Sequence, residues 1–228
     1  MRAVVLADGA APDRAGLDAA WPGWDEVVDL VVAADGGARL GGALGLRIDR
    51  WVGDADSLGL DEVDQLRGSG VDVRLVGRDK DASDTELALL VAIDAGADDV
   101  TIVGALGGPR LDHALANVLL LAHPALAGVA VRLVDPTARV TLLVAPRPGG
   151  EPASASLDGR PGDLVTLLPI GVDALGLTTA GLRYPLADES LAAGPTRGLS
   201  NIRAAARATV TLRRGRLLVV ETPATLSA

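Results

Sequence analysis

Residues 31–57 read VVAADGGARLGGALGLRIDRWVGDADS, and the main structural pattern of the chain is visible here. It contains two short apolar runs, at 31–34 and 51–52, and each run is followed at once by glycine and aspartate. Runs that are nearly continuous in apolar residues, rather than alternating, are typical of strands covered on both faces. The stretch therefore predicts two buried strands that each end in an acidic, glycine-containing loop.

The same pattern extends on both sides of this stretch and covers residues 1–145. Apolar runs lie at 3–7, 27–34, 51–52, 71–76, 100–103 and 129–134. Helix-like stretches fall between them, at 61–68, 84–96 and 111–123. Alternation of strands and helices is typical of βαβ units and a mostly parallel sheet. We therefore predict an N-terminal Rossmann-like α/β domain at 1–145.

The composition and the hydrophobic pattern of the sequence change after residue 145. The stretch 146–163 is rich in Pro and Gly, which predicts a linker or a long loop. Short β-like runs follow at 164–168, 208–212 and 217–220, and 213–216 reads as a hairpin turn between the last two. We therefore predict a second, all-β domain at 164–228, a small sandwich.

The composition argues against several classes of protein. Hydrophobic residues make up 49% of the chain and there is no Cys, so a packed core is expected and no thiolate metal site is possible. A formal net charge of −9 argues against nucleic-acid binding. The N-terminal apolar run is too short for a signal peptide, and no run reaches the roughly 18 apolar residues of a membrane span, so we expect a cytoplasmic protein. The sequence also lacks a P-loop.

Acidic loops follow four of the predicted strands, at 35–37, 53–57, 77–84 and 104–113. Ligands of open parallel sheets bind beyond the carboxyl ends of the strands, so these loops are expected at one edge. Converging carboxylates repel one another unless a hard cation lies among them, and Mg²⁺ binds carboxylates together with substrate phosphates. Glycines allow backbone amides to approach a phosphate. The pattern indicates phosphoryl or diphosphoryl transfer.

Each of these residues also has a purely structural interpretation. Asp35 and Asp112 could be helix caps or turn formers. The acidic loop at 79–84 could be a solvated turn, and His113 and Asn117 share one helical face, where single polar residues are often structural. Asp54 and Asp56 favour metal binding more clearly, because an Asp-x-Asp pair in a loop after a strand holds two carboxylates close together.

Taken in order, the motifs resemble those of the thiamine diphosphokinase family. They are ADGGA at 34–38, GDADS at 53–57, DKDASD at 79–84, GGPRLDHALAN at 107–117, GLRYPL at 181–186 and SN at 200–201. The resemblance extends from about residue 3 to residue 220. It implies an α/β domain followed by a β-sandwich, and a homodimer with active sites between protomers. It also implies Mg²⁺-dependent transfer of the diphosphoryl group of ATP to thiamine, with release of AMP.

The resemblance also implies roles for individual residues. Asp54, Asp56 and Asp84 correspond to the metal-binding and catalytic carboxylates. Lys80 is a catalytic candidate on a different ground, because its charge could neutralise phosphate oxygens. The residues expected on the ATP side are Asp35, Gly36, Gly37, Asp81, Gly107, Gly108, Arg110, Asp112, His113 and Asn117. Ser200 and Asn201 would reach the thiamine pyrimidine, and Tyr184, the only Tyr of the chain, would stack on it.

Four positions depart from the family pattern. The family often has an aromatic residue at Ala55, Gln at Lys80 and Lys at Leu87, and Pro109 resembles an insertion. We expect Lys80 to replace the charge that is missing at Leu87. Two other functions stay open at this point: a diphosphokinase acting on a hydroxymethyl-pterin, and a catalytically silent nucleotide- or thiamine-binding module.

Overall fold

The computed structural model describes residues 1–147 and 149–224 of the chain. The chain forms two compact units, Met1–Pro136 and Thr137–Ala228. Within the described ranges, no helix combines the length and the apolar character that crossing a membrane requires.

The first unit contains a parallel sheet of six strands. Their bounds are β1 (Arg2–Leu6), β2 (Leu30–Ala34), β3 (Arg50–Gly53), β4 (Asp72–Leu75), β5 (Asp99–Val103) and β6 (Ala130–Asp135). Their order across the sheet is β6-β5-β1-β2-β3-β4, and every pairing among them is parallel. The central strands β1 and β2 are almost wholly buried, as the continuous apolar runs predict.

Five α-helices accompany this sheet. They are α1 (Arg14–Ala20), α2 (Ala38–Leu44), α3 (Leu60–Gly68), α4 (Asp84–Asp94) and α5 (Leu111–Leu120). The helices predicted at 61–68, 84–96 and 111–123 are confirmed as α3, α4 and α5. The sequence analysis missed α1 and α2, which have seven residues each. Gly41 and Gly42 lie inside α2, and glycine weakens the helix signal of a sequence.

The three Trp residues of the chain all pack into the core of the first unit. Trp21 and Trp24 are both buried. Trp51 is fully buried, and its indole Nε1 donates a hydrogen bond to the backbone carbonyl of Asp35 at 2.9 Å. Trp51 therefore belongs to the core while fixing the backbone of a predicted site residue.

The second unit is an all-β sandwich. Its strands are β7 (Ala138–Ala145), β8 (Ala153–Asp158), β9 (Leu164–Pro169), β10 (Ala174–Ala180), β11 (Glu189–Leu191), β12 (Asn201–Ile202), β13 (Arg207–Leu212) and β14 (Gly215–Thr222). They form two antiparallel groups, in the orders β12-β9-β14-β7 and β11-β10-β13-β8. Side chains from both groups share one core, including Leu167 and Val219 from the first and Leu177 and Val210 from the second. The predicted fold class, α/β followed by a β-sandwich, is confirmed.

Three expectations about the chain from residue 136 onward differ from the structure. The hairpin predicted around 213–216 is wrong, because β13 pairs with β8 and β10 whereas β14 pairs with β7 and β9. A turn signal in the sequence marks a change of direction but does not state which strands then pair. In addition, the predicted linker or loop at 146–163 contains β8, whose sequence ASASLD lacks the large β-branched residues that announce a strand. The compact units divide at Pro136, before the predicted limit at residue 145.

Candidate active site

The candidate site begins where β2 and β3 end. The two strands are parallel neighbours, with Ala34 opposite Val52, so the loops that follow them start side by side. After β2 the chain enters a 3₁₀ turn, Asp35–Gly37, that leads directly into α2. A Cβ at Gly37 would lie 2.2 Å from the carbonyl oxygen of Leu6, so only glycine allows this turn to pack against the end of β1.

Asp35 is held in this turn with one carboxylate oxygen unused. Its side chain is 2% exposed, and its φ of +39° is unusual for a residue other than glycine. Oδ2 accepts a hydrogen bond from the backbone N–H of Ser57 at 3.1 Å, whereas the buried Oδ1 has no hydrogen-bond partner among the described residues. Burying a carboxylate oxygen without a partner costs free energy, so a cation or a hydrogen-bond donor beside Oδ1 would stabilise this position.

Asp54 and Asp56 face Asp35 from the loop after β3. Ala55, between them, has a φ of +63°, and the backbone N–H of Asp56 donates to Oδ1 of Asp54 at 3.1 Å. Asp35, Asp54 and Asp56 each offer an oxygen that lies within 4.8 Å of the other two. We call these residues the three-carboxylate cluster. It pairs Asp54 and Asp56 as the sequence analysis expected, and it adds Asp35, which the resemblance places on the ATP side.

Lys80 joins Asp84 to the cluster. Its Nζ lies 2.8 Å from Oδ2 of Asp54 and 2.8 Å from Oδ1 of Asp84, the first residue of α4. Oδ1 of Asp84 makes this ion pair outside hydrogen-bonding geometry. Asp84 thus lies beside Asp54 as predicted, but an ammonium group lies between the two carboxylates.

The charges around the cluster shift the pKa values of its members in opposite directions. The pKa of Asp35 is raised to about 6, chiefly by burial and to a smaller extent by the carboxyl groups of Asp56 and Asp84. The hydrogen bond from Lys80 lowers the pKa of Asp54. Burial lowers the pKa of Lys80, but its interactions with the carboxylates of Asp54 and Asp84 outweigh burial, so the pKa lies above its usual value. At neutral pH the site therefore concentrates more negative charge than Lys80 alone neutralises.

The donor set fits a hard divalent cation. The cluster offers carboxylate oxygens, which are the ligands that Mg²⁺ prefers. The unpartnered Oδ1 of Asp35 adds an oxygen that has no other role in the described part of the chain. Asp35, Asp54 and Asp56 are the residues that would hold the ion, with Asp84 next to them.

The loop after β5 contributes a second part of the site. Gly107 and Gly108 have φ values of +76° and +87°. The loop packs against the segment after β1, where the N–H of Gly9 donates to the carbonyl of Gly104 at 2.7 Å. The carboxylate of Asp8 lies beside Gly36, where a Cβ would come within 2.4 Å of its Oδ1. Asp8 and Gly9 repeat the Asp-Gly signal of the other loops but are absent from the residues predicted above.

The predicted ATP-side residues of α5 have three different environments. Arg110 and Asp112 form an exposed ion pair at 2.6 Å, and Arg110 lowers the pKa of Asp112 to about 2. His113 is exposed. Asn117 is buried and donates its Nδ2 to the carbonyl of Ala105 at 2.9 Å, so it fixes α5 to the loop after β5. Asp81 is exposed and lies outside the three-carboxylate cluster.

Arg39 is a further residue that the sequence analysis missed. Its Nη2 donates to the carbonyl of Ser57 at 2.9 Å, and it forms an ion pair with Glu62. Arg39 therefore holds the loop that carries Asp54 and Asp56. The feature of the sequence that could have indicated Arg39 is its position directly after the ADGGA motif.

The predicted acceptor residues lie in the second unit. Tyr184 is 60% exposed, and the guanidinium carbon of Arg183 lies 5.6 Å from the centre of its ring. The side chain of Asn201 accepts from the N–H of Tyr184 at 3.1 Å and donates to its carbonyl at 2.7 Å. The N–H of Ser200 donates to Oγ1 of Thr166 at 3.0 Å. Asn201 thus positions Tyr184, a structural task that the sequence analysis did not foresee.

Comparison with known proteins identifies the family. The model of the thiamin pyrophosphokinase catalytic domain matches residues 24–133, and the model of the thiamin pyrophosphokinase vitamin B1 binding domain matches residues 155–217. The chain belongs to the thiamin pyrophosphokinase family. Together the two matches cover most of the α/β unit and most of the sandwich, in the order that the sequence motifs predict.

Individual relatives agree with this assignment. The chain is 27% identical to a thiamine pyrophosphokinase from Bacillus subtilis over 168 residues, which are 74% of this chain and 75% of the relative. A crystal structure of thiamine pyrophosphokinase from Bacillus subtilis superposes with a TM-score of 0.81 at 24% identity, covering 98% of this chain and 99% of the other. A structure from Geobacillus thermodenitrificans gives a TM-score of 0.77 at 26% identity, covering 97% of each chain. The thiamin pyrophosphokinase family is a family of enzymes, and membership favours thiamine over a pterin as acceptor.

Proposed function

We propose that this chain transfers the diphosphoryl group of ATP to the hydroxyethyl oxygen of thiamine, giving thiamine diphosphate and AMP, with Mg²⁺ as cofactor. The observation that carries the proposal is the three-carboxylate cluster of Asp35, Asp54 and Asp56 at adjacent strand ends, with an unpartnered oxygen on Asp35. Membership of the family indicates ATP and thiamine as the two substrates. The three-carboxylate cluster would hold Mg²⁺, and this ion would allow an acidic protein to bind the anionic ATP.

The glycine loops and the cations of the first unit would bind the polyphosphate. Gly36 and Gly37 begin a helical turn, and Gly107 and Gly108 lie in the loop after β5, so backbone N–H groups can approach phosphate oxygens there. Lys80 and Arg110 would neutralise charge on the transferred group. When bound, Mg²⁺ supplies further charge neutralisation on the phosphoryl oxygens.

The nucleophile is the alcohol of the substrate, so the protein needs to orient it and accept its proton. Asp56 is the exposed member of the cluster, and we propose it as the residue that contacts the acceptor hydroxyl. Asp84, the second candidate, is engaged by Lys80. Tyr184 would provide an aromatic platform for the flat, cationic thiamine, and Asn201 holds that platform through its backbone.

A homodimer would complete the enzyme, and we propose the exposed face of α5 as part of its interface. Leu111, Leu115 and Leu119 are spaced four residues apart along α5 and are 71%, 56% and 61% exposed. A contiguous apolar stripe of this kind is typical of an interaction surface. The two units also carry opposite net charges, with 11 basic and 23 acidic residues in 1–136 and ten basic and seven acidic residues in 137–228.

Because ATP is a cytoplasmic substrate, we also propose a cytoplasmic location.

AMP release tests the proposed reaction. Purified protein with Mg²⁺ and ATP is offered thiamine or a hydroxymethyl-pterin, and AMP is measured. We expect AMP with thiamine only. AMP with the pterin only would replace the proposed acceptor, and no AMP with either would overturn the catalytic proposal.

Light scattering tests the dimer. The wild-type chain is expected to have the mass of two copies, and Leu115→Glu is expected to shift the protein towards one copy. An exposed charge exchange elsewhere, Arg67→Glu on α3, serves as the control and is expected to leave the mass unchanged. A monomeric wild-type protein at micromolar concentration would overturn the proposal.

A further inference from the structure

Lys80 is the only lysine among the 21 basic residues of the chain. Every other cationic side chain that is permanently charged is an arginine. This single lysine lies at the candidate active site, where it contacts two carboxylates. The position of this single lysine raises the question of what an ammonium group can do there that a guanidinium group cannot.

The geometry of the contacts of Lys80 suits an ammonium group. One nitrogen atom lies 2.8 Å from both Asp54 and Asp84, and the Lys80 side chain is only 17% exposed. An ammonium is a compact point charge on a flexible stem, whereas arginine has a rigid fork that favours two-point binding to a carboxylate. Lysine can therefore bridge two acids and still leave one of them by rotating its own side chain.

Asp54 belongs to two groups at once. It is bound by Lys80 through Oδ2, and it is also a member of the three-carboxylate cluster with Asp35 and Asp56. A cation that enters the cluster and the ammonium of Lys80 therefore compete for the same carboxylate. Without any cation, the carboxylates around Asp54 would repel one another, so Lys80 compensates charge in the metal-free protein.

We propose that Lys80 is an exchangeable counter-ion: it holds Asp54 and Asp84 in place in the metal-free enzyme and leaves Asp54 when the divalent ion binds. Lys80 thereby lowers the affinity of the site for the metal and keeps the site folded without it. The inference rests on the proposed magnesium site. In the metal-free protein, the cation at this site is then the ammonium group of Lys80.

Metal affinity gives the first test. Mn²⁺ binding to the nucleotide-free protein is measured by electron paramagnetic resonance for the wild type, for Lys80→Gln and for the control Arg67→Gln, which removes a positive charge from the exposed face of α3. We expect Lys80→Gln to bind Mn²⁺ at least about tenfold more tightly than the wild type, because a competing unit charge is gone. Arg67→Gln should bind as the wild type does. Equal or weaker binding by Lys80→Gln overturns the inference.

The wild-type protein gives a second test that does not depend on the folding of a variant. Labelling with ¹⁵N-lysine yields one side-chain ammonium signal, because the chain has one lysine. Titration with Mg²⁺ should shift or broaden this signal over the same concentration range in which the metal binds. A signal that stays unchanged while the site fills shows that Lys80 keeps both partners, and the inference is then wrong.

The two tests separate this inference from the proposed reaction. If neither the wild type nor Lys80→Gln binds Mn²⁺, the metal site itself is refuted, and the inference with it. If Mn²⁺ binds and the Lys80 signal responds but no AMP is released from ATP and thiamine, the exchange stands and the proposed reaction is refuted.

Discussion

Replacing Asp35 by Asn is expected to stabilise the α/β unit in the absence of divalent ions, although it removes a proposed metal ligand. The wild-type carboxylate is buried, its Oδ1 has no partner among the described residues, and its pKa is raised from 3.8 to about 6. Asn keeps an oxygen that can accept from the Ser57 N–H, and it tolerates the positive φ of this position. The substitution therefore removes the charge with little change of shape.

The size and the pH dependence of the effect follow from the pKa. A shift from 3.8 to about 6 makes the ionised carboxylate cost about 3 kcal/mol in the folded protein, at about 1.4 kcal/mol per unit, so we expect a gain of about 1–3 kcal/mol at pH 7.5. The folded state retains this proton at a higher pH than the unfolded state does. The stability contributed by Asp35 therefore falls as the pH rises from about 4 to about 6, and the cost is complete above that range.

Urea unfolding in EDTA, followed by Trp fluorescence, measures this prediction. All three Trp residues lie in the first unit, so the signal reports that unit alone. Asp35→Asn should raise the urea midpoint by about 1 M at pH 7.5, and the difference should vanish near pH 4. Asp94→Asn, an exposed change on α4, is the control. The reasoning is refuted if Asp35→Asn is less stable than the wild type at pH 7.5, or if the difference does not depend on pH.

Three further predictions follow from the site. Asp54→Asn should lower kcat/KM for thiamine diphosphate formation by about 10²–10³ while the circular dichroism spectrum is retained, because a carboxylate of the metal cluster is lost; wild-type turnover would contradict the assigned role. Gly53→Ala should destabilise the first unit by about 1–3 kcal/mol in urea unfolding, since its Cβ would lie 2.8 Å from the Cβ of Asp35; an unchanged midpoint would count against this packing. Tyr184→Ala should raise KM for thiamine about 3- to 30-fold and leave KM for ATP unchanged, because the proposed aromatic platform for the cationic thiamine is removed; an equal rise in both constants would argue against an acceptor platform.

The strand ends were the most predictable part of the site. Asp54 and Asp56 could be assigned from the sequence because two carboxylates on either side of one residue, directly after a buried strand, stay close in any parallel sheet. Asp84 could be placed nearby because it begins a helix that follows the next strand. Such assignments depend on spacing along the chain, which the sequence contains in full.

Other features depend on contacts between distant segments and could not be obtained in this way. From the sequence, Asp35 is expected with the nucleotide rather than in the three-carboxylate cluster, because its burial and its unpartnered Oδ1 arise only when β2 and β3 lie side by side. Asn201 was expected to contact the substrate, and its bonds to Tyr184 depend on the approach of a segment 17 residues away. The supposed hairpin at 213–216 failed for the same reason, since pairing is decided by the whole sandwich.

The α/β-then-β order, the acidic strand ends and the family could be inferred from the sequence, because periodicity, composition and motif order are properties of the chain that do not depend on its folding. The tertiary structure was needed to show which carboxylates lie close together, which of them is buried without a partner among the described residues, and that the single lysine bridges Asp54 and Asp84. The physical reason is that burial, desolvation and ion pairing depend on distances through space. A residue 26 positions away along the chain, as Lys80 is from Asp54, acquires its role only when the fold closes that distance.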